Sequence, residues 1–278
     1  MTANGDNNAR LGAGPSMDRM GYDLMLALAQ PGCPVCRLTR QLVGSYLDGI
    51  SYELVNDVAT REKLSKSLGY CAAHGQELLA LKDSLGTAII YNHIFTEVQR
   101  ILAKRAPGNL TSDALGDKPA AVSGGLLGRL QGWLGNEGSS LGREVGRALA
   151  DALEPAGPCP ACEYSLTTEV LLLDSCVKAL ANSDFIDAYT RNAGGLCLPH
   201  LRGALRRIND VGTVRTLVER QNAFLSSTCA ALVEVINKHD YRQADVQRGS
   251  EFGAVAASIG HAGGLLPTHL NLPPARGE

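Results

Sequence analysis

Two copies of a single cysteine and histidine pattern limit what this chain can fold into more than any other feature. GCPVC at residues 32–36 and PCPAC at 158–162 are followed by YCAAH at 70–74 and LCLPH at 196–200. Matching positions lie 126 residues apart throughout, and in both copies 34 residues separate the second Cys from the third. Each half therefore reads C-x2-C-x34-C-x2-H with no insertion. At the same offset Leu47 matches Leu173, Asp48 matches Asp174, Leu54 matches Leu180, Asn56 matches Asn182, Gly69 matches Gly195 and Leu79 matches Leu205. Self-similarity at a fixed offset is the mark of a duplicated structural unit.

The residues around the motifs carry helical periodicity. In each half an amphipathic stretch (Met20, Leu24 and Leu28; then Leu141, Val145, Leu149 and Leu153) precedes a Pro/Gly break and the Cys pair. A long apolar-periodic segment follows each pair, to about Ser51 and about Ala181. Asn56-Asp57 and Ser183-Asp184 are the expected N-caps of a short helix that ends near Gly69 or the Gly194-Gly195 pair. The Cys-x-x-His opens a fourth helix, and a long fifth begins near Asp83 or Asp210. Leu85, Ile89, Ile94, Val98 and Ile101 are expected to line one face of the fifth helix in the first half, and Val214, Leu217, Phe224, Ala231 and Ile236 in the second. Aromatic residues are only 5% of the chain and the apolar mass is Leu, Ala and Val, which favours helix over an aromatic-rich sandwich. The predicted fold is all-α: a helical bundle of two pseudo-symmetric five-helix repeats, each with a Cys3His metal site.

The expected organisation is a disordered N-terminus at 1–15, repeat 1 at 16–105, a flexible linker at 106–138, repeat 2 at 139–242 and a mostly disordered tail at 243–278, fraying from about Gly249. Within the linker, Leu126, Leu127, Leu130, Trp133 and Leu134 suit either a short amphipathic turn for a partner or membrane surface or, given three interspersed glycines, a semi-ordered linker. The 26 basic and 28 acidic residues leave a formal charge of -2, so no global basic field recruits nucleic acid. No stretch reaches the roughly 18 apolar residues needed to span a bilayer, and the start lacks a basic and apolar leader, so a cytoplasmic location is expected.

Two thiolates three positions apart can converge on one ion, and tetrahedral zinc commonly takes Cys3His ligation from two such pairs. Grouped by repeat, Cys33, Cys36, Cys71 and His74 form one set and Cys159, Cys162, Cys197 and His200 the other; sequence alone leaves open whether each site closes within its repeat or across the two. The Pro after the first Cys of each pair suits the first position of a helix. Free amides and the positive end of the helix dipole favour thiolate there. Two structural zinc ions are the expected cofactors, because a closed sphere of four ligands leaves no position for substrate. An iron-sulfur cluster is the alternative, since Cys3His ligation of a [4Fe-4S] core gives the same net charge. Redox disulfides lack the βαβ context that a thiol oxidoreductase needs.

Other candidates carry less. Cys176 and Cys229 lie in apolar helical segments and read as core. His93 reads as a satisfied, half-buried histidine, while His261 and His269 fall in the tail and are expected to do nothing specific. Arg202, Arg206, Arg207, Arg215 and Arg220 crowd the region after His200 and read as a solvated face or, alternatively, an anion- or partner-docking face. Phosphate-cradling loops, G-x-S-x-G, H-E-x-x-H and paired carboxylates in a convincing context are not found.

The order Cys-Pro-x-Cys, a short Asp/Arg-rich helix, Gly-x-Cys-x-x-His, then Lys-His-Asp-Tyr-Arg at 238–242 with Glu251 downstream, resembles an uncharacterised bacterial family known as a domain of unknown function. The resemblance covers about residues 17–260 and implies the eight ligand positions and little else. Function therefore rests on the metal chemistry: a zinc-binding helical module for binding or scaffolding an unidentified protein partner, more plausible than an enzyme, or else a redox or sulfur-handling protein using the same thiols. Oligomeric state is not readable from the sequence.

Overall fold

The computed structural model describes residues 17–105, 138–192, 194–238 and 249–264. Eleven α-helices and no strand are found among them. Helices α1 (Arg19–Ala27), α2 (Pro34–Tyr52), α3 (Val58–Lys66), α4 (Ala72–Ala80) and α5 (Ser84–Arg105) follow the first-half pattern. Helices α6 (Gly138–Ala152), α7 (Pro160–Ala179), α8 (Ser183–Arg191), α9 (Leu198–Leu205) and α10 (Val211–Lys238) follow the second in the same order. A 3-10 turn (Ser250–Phe252) and α11 (Gly253–Gly263) complete the described chain. The linker motif from Leu126 to Leu134, His239 to Arg242 of the basic motif, and His269 lie outside the described residues. No described helix is long and apolar enough to cross a membrane.

The chain divides into two compact units that do not coincide with the two repeats: residues 1–43 with 164–278, and residues 44–163. The division falls inside α2 and inside α7, so each of these helices begins in one unit and ends in the other.

The first unit is built on Leu24, Leu28, Val35, Leu172, Cys176, Phe185, Leu196 and Leu217, all buried in one apolar cluster. Asp18 caps α1 by accepting from the Gly21 amide at 2.6 Å, and it also takes the Ser175 hydroxyl at 2.9 Å. In the second unit Ile50, Val55, Leu64, Ile90 and Ile94 form a smaller core, flanked by Tyr46, Tyr70 and Tyr91. Asp57 caps α3 through the Thr60 amide at 2.8 Å, and Asp83 holds the Gly86 amide at 3.0 Å where α5 begins.

Several expected positions shift. The cap of α8 is Asn182, one residue before the expected Ser183-Asp184, and its Oδ1 accepts from the Asp184 and Phe185 amides. In α5 Ile94 is buried as expected, but Leu85 is exposed and Ile90 joins the core; near the end of α10 Val235 is buried and Ile236 exposed. Over long helices the 3.6-residue period does not return to the same face at fixed intervals, which moves the buried stripe by one residue. Cys229 is exposed, not core. The largest correction is at the tail. Within that tail, residues 250–263 form the 3-10 turn and α11, because Glu251 accepts from the Gly249 amide at 2.8 Å and from Lys238 Nζ at 2.9 Å, and His261 is buried.

Candidate metal centre

Each motif sits where its residue types predict. Pro34 and Pro160 open α2 and α7, and Cys71 and Cys197 are the N-cap residues of α4 and α9, with extended backbone. Every Cys pair and every Cys-x-x-His is thus presented from a helix N-terminus, where unpaired amides and the dipole favour negative sulfur.

In the first unit the four donor atoms of Cys33, Cys36, Cys197 and His200 all lie within 4.8 Å of one another, and all four residues are buried. His200 Nδ1 is 3.3 Å from Cys33 Sγ, 3.3 Å from Cys36 Sγ and 3.1 Å from Cys197 Sγ, while Cys36 and Cys197 sulfurs are 3.7 Å apart. His200 Nε2 faces outward and donates to Glu169 Oε1 at 2.6 Å. Cys36 Sγ also lies 3.6 Å from the Gly264 carbonyl, just beyond the end of α11.

In the second unit the donor atoms of Cys71, His74, Cys159 and Cys162 likewise all lie within 4.8 Å of one another, but three of the residues are half-buried and Cys162 is exposed. His74 Nδ1 lies 3.3 Å from Cys71 Sγ, 3.4 Å from Cys162 Sγ and 3.7 Å from Cys159 Sγ; Cys71 and Cys162 sulfurs are 3.6 Å apart. Both histidines turn Nδ1 inward.

The expected grouping by repeat is therefore corrected: each cluster takes its Cys pair from one repeat and its Cys-x-x-His from the other. Local contacts join the partners that do meet. In the first unit Asn192 Nδ2 donates to the Leu28 and Gln30 carbonyls at 2.8 and 2.7 Å, while its Oδ1 accepts from the Gly194 and Gly195 amides at 2.8 and 2.7 Å. Gly194 lies so close to Gly32 that a Cβ there would come within 2.3 Å of the Gly32 nitrogen, and Gly195 has φ +54°. In the second unit the Ala156 and Gly157 amides donate to the Lys66 carbonyl at 2.7 and 3.1 Å.

The proton affinities fit thiols crowded around one point. Burial opposes ionisation of Cys33, but hydrogen bonds from Cys197, Cys36 and His200 outweigh it and hold that thiol well below its usual range. Cys36 moves the other way, because a second negative sulfur would face Cys197 and Cys33 and is also desolvated. Burial would lower His200, yet its bonds to Cys197, Cys33 and Glu169 push it up to about 12. In the second cluster burial opposes the ionisation of Cys71, but the amides of the α4 N-terminus and the neighbouring thiols lower it. Burial, then Cys71 and Cys159, push Cys162 up to about 12. One thiolate per cluster is supported by its neighbours, and the next is penalised by it. A cation between them removes that penalty, so each cluster can hold a metal ion.

The sequence matches, over residues 26–262, a family described as a family of unknown function, and that span includes both clusters. The chain belongs to the DUF6062 family. Neither the curated proteins nor the solved structures give a match. Membership bears out the resemblance drawn from the Cys and His motifs.

In this DUF6062 chain several residues that shape the first cluster were not singled out from sequence. Glu169 holds His200, and Gln221 fixes the residue before Cys197: its Oε1 accepts from Tyr189 Oη at 2.8 Å, and its Nε2 donates to the Leu196 carbonyl at 3.0 Å. Gln221 Nε2 also lies 3.1 Å from His261 Nε2, and the His261 ring packs on Phe224, so this histidine anchors α11 and is not a bystander. The available signal for Gln221 was its place on the apolar stripe of α10, four residues after Leu217 and three before Phe224. Glu169 offered none, because its partner is 31 residues away. The other candidates are placed simply: Cys176 is core, and His93 shares a hydrogen bond with Ser65 at 3.0 Å. Arg207 pairs with Asp174 at 2.7 Å, while Arg202, Arg206, Arg215 and Arg220 are exposed.

Proposed function

We propose that each cluster binds one zinc ion in a closed Cys3His sphere and that the ions hold the fold of a helical binding or scaffolding module. The donor spacing carries this reading. Two sulfurs bound to one zinc at about 2.3 Å lie about 3.8 Å apart at the tetrahedral angle, and a sulfur and a nitrogen about 3.6 Å apart. Cys36 and Cys197 sulfurs are 3.7 Å apart and Cys71 and Cys162 sulfurs 3.6 Å, all donors of a cluster lie within 4.8 Å of one another, and the nitrogen to sulfur distances run from 3.1 to 3.7 Å. Donors so close suit one ion; a four-iron core places each ligand on a different iron and spreads them further. Three thiolates, a neutral imidazole and a divalent ion sum to -1, which the facing helix N-termini offset.

Glu169 on His200 Nε2 supports the same reading, since a metal-bound histidine commonly donates its outer N–H to a carboxylate. Four protein ligands leave no position for a substrate, which favours a structural over a catalytic ion. The test is metal analysis of the full chain purified without oxygen. A colourless protein with two zinc per chain supports the assignment; a brown, visible-absorbing protein with iron and sulfide defeats it and favours the redox reading.

A further inference from the structure

The two clusters share a donor set but not an environment. In the first, Cys33, Cys36, Cys197 and His200 are 9, 2, 1 and 5% exposed. In the second no ligand is buried, Cys162 is open to solvent, and Cys71 Sγ lies 3.6 Å from Cys162 Sγ. With the ion bound, its ligand sulfurs are thiolates, and a solvent-accessible thiolate with a second sulfur in reach is the arrangement in which oxidation ends in a disulfide. Closing that bond needs the sulfurs to approach from 3.6 Å to about 2.05 Å.

We propose that Cys162 is an oxidative modification site: hydrogen peroxide oxidises Cys162, Cys71 closes a disulfide on it, and the second cluster releases its ion while the first keeps its own. The proposal rests on the zinc reading above. The Cys162 thiolate attacks one peroxide oxygen, the O–O bond breaks, and hydroxide leaves and is protonated by solvent, giving a sulfenic acid. The Cys71 thiolate then attacks that sulfur, the S–O bond breaks, and a second hydroxide leaves and is protonated. Both electrons come from the two sulfurs and both go to the peroxide; zinc changes no oxidation state. Loss of two of four ligands frees the ion. The matching pair in the first cluster, Cys36 and Cys197, stands 3.7 Å apart and differs in being buried, so access and not spacing decides between them.

The experiment treats the zinc-loaded full chain with hydrogen peroxide in the presence of a chromophoric zinc chelator and maps disulfides by peptide mass. The expected result is release of one of two zinc equivalents together with a Cys71–Cys162 disulfide, and recovery of the second equivalent after thiol reduction and zinc addition. C162S, which removes the reacting sulfur, is expected to start with one equivalent and lose none at the same peroxide dose. A starting protein without two zinc defeats the zinc reading and the proposal with it. Two zinc at the start, followed by release of both, release of neither, or a disulfide among other cysteines, overturns the proposal alone. So does peroxide-driven release from C162S.

Discussion

The two clusters carry the same donor types, three cysteines and a histidine, in different surroundings. Arg37 follows Cys36 in the first, and its guanidinium feels the Cys33 thiolate; the matching position after Cys162 is Glu163, a carboxylate. Glu169 holds His200, whereas the position that would serve His74 is Val43. The buried cluster thus has a cation to offset its thiolates and a carboxylate to orient its imidazole, and the exposed one has neither at those positions. A ligand set fixes which ion can bind; the residues behind it fix how firmly and how accessibly the ion is held.

Removing one sulfur from each cluster tests that contrast with the largest effect. Cys197→Ser and Cys71→Ser are each expected to lose one zinc equivalent, since serine is a poor zinc ligand and binding energy in such sites is folding energy. Cys197 belongs to the larger core, so its loss is expected to cost more than about 4 kcal/mol, and Cys71→Ser about half as much. Metal analysis and thermal melting of both variants check this. Equal melting temperatures would break the comparison, and unchanged zinc in both would remove its basis. Cys176→Ala, in the same core but off the ligand set, should keep both ions.

Backbone approach comes next. A Cβ on residue 194 would meet the Gly32 nitrogen and Cα at 2.3 and 2.4 Å, and backbone cannot swing aside as a side chain can. Gly194→Ala is expected to cost about 1–3 kcal/mol and to weaken the first ion only. Residue-resolved metal loss, followed by cysteine alkylation and peptide mass, distinguishes this from a general loss of fold. Alkylation appearing first at Cys71 or Cys162 in this variant would contradict it.

These contacts also show why the fold was more legible than the sites. Pro34, Pro160, Asp57, Asp83 and the two Cys N-caps act within a turn of the chain, where residue type dictates geometry, and the helices start where they indicate. Which Cys pair meets which Cys-x-x-His depends on contacts such as Asn192 to Leu28, 164 residues apart. Identical spacing in the two repeats makes pairing within and across equally compatible with the sequence. The tail was misread for a related reason. Its small residues favour coil by composition, but His261 finds Gln221 and Phe224, and tertiary contact overrides propensity.

Orientation of the imidazole is a smaller lever. Glu169 is held below the ordinary glutamate range by its bond to His200, so it stays an anion and accepts the hydrogen bond that Nε2–H donates. Glu169→Gln keeps the shape and removes the charge. The first ion is expected to bind about 10–100-fold more weakly, with no change at the second, as read by chelator competition. Equal weakening of both ions, or of neither, would show that the carboxylate does not tune this site.

The smallest expected effect concerns the closure that makes the first cluster the buried one. Gly264, at the end of α11, sets its carbonyl 3.6 Å from Cys36 Sγ, and α11 is joined to the end of α10 through Lys238 and Glu251 at 2.9 Å. The Gly249 amide first, then Lys238, hold Glu251 at a pKa of about 2, against an ordinary value of 4.5. A carboxyl depressed in the folded state contributes stability that is fully present above its unfolded value and is lost as pH falls through the folded one. The latch is therefore expected to be complete above about pH 5 and to weaken progressively from about pH 4.5 towards pH 2. Glu251→Gln should raise amide exchange in α11 at neutral pH by less than about tenfold, as befits one ion pair, and should erase the step in that acid window. The same variant should expose Cys36 to alkylation slightly sooner and leave Cys162 unchanged, because no part of this latch reaches the second cluster's unit. If α11 exchange in Glu251→Gln matches the parent at every pH, the burial of the first cluster owes nothing to this ion pair and rests on the His261 and Gln221 contacts alone.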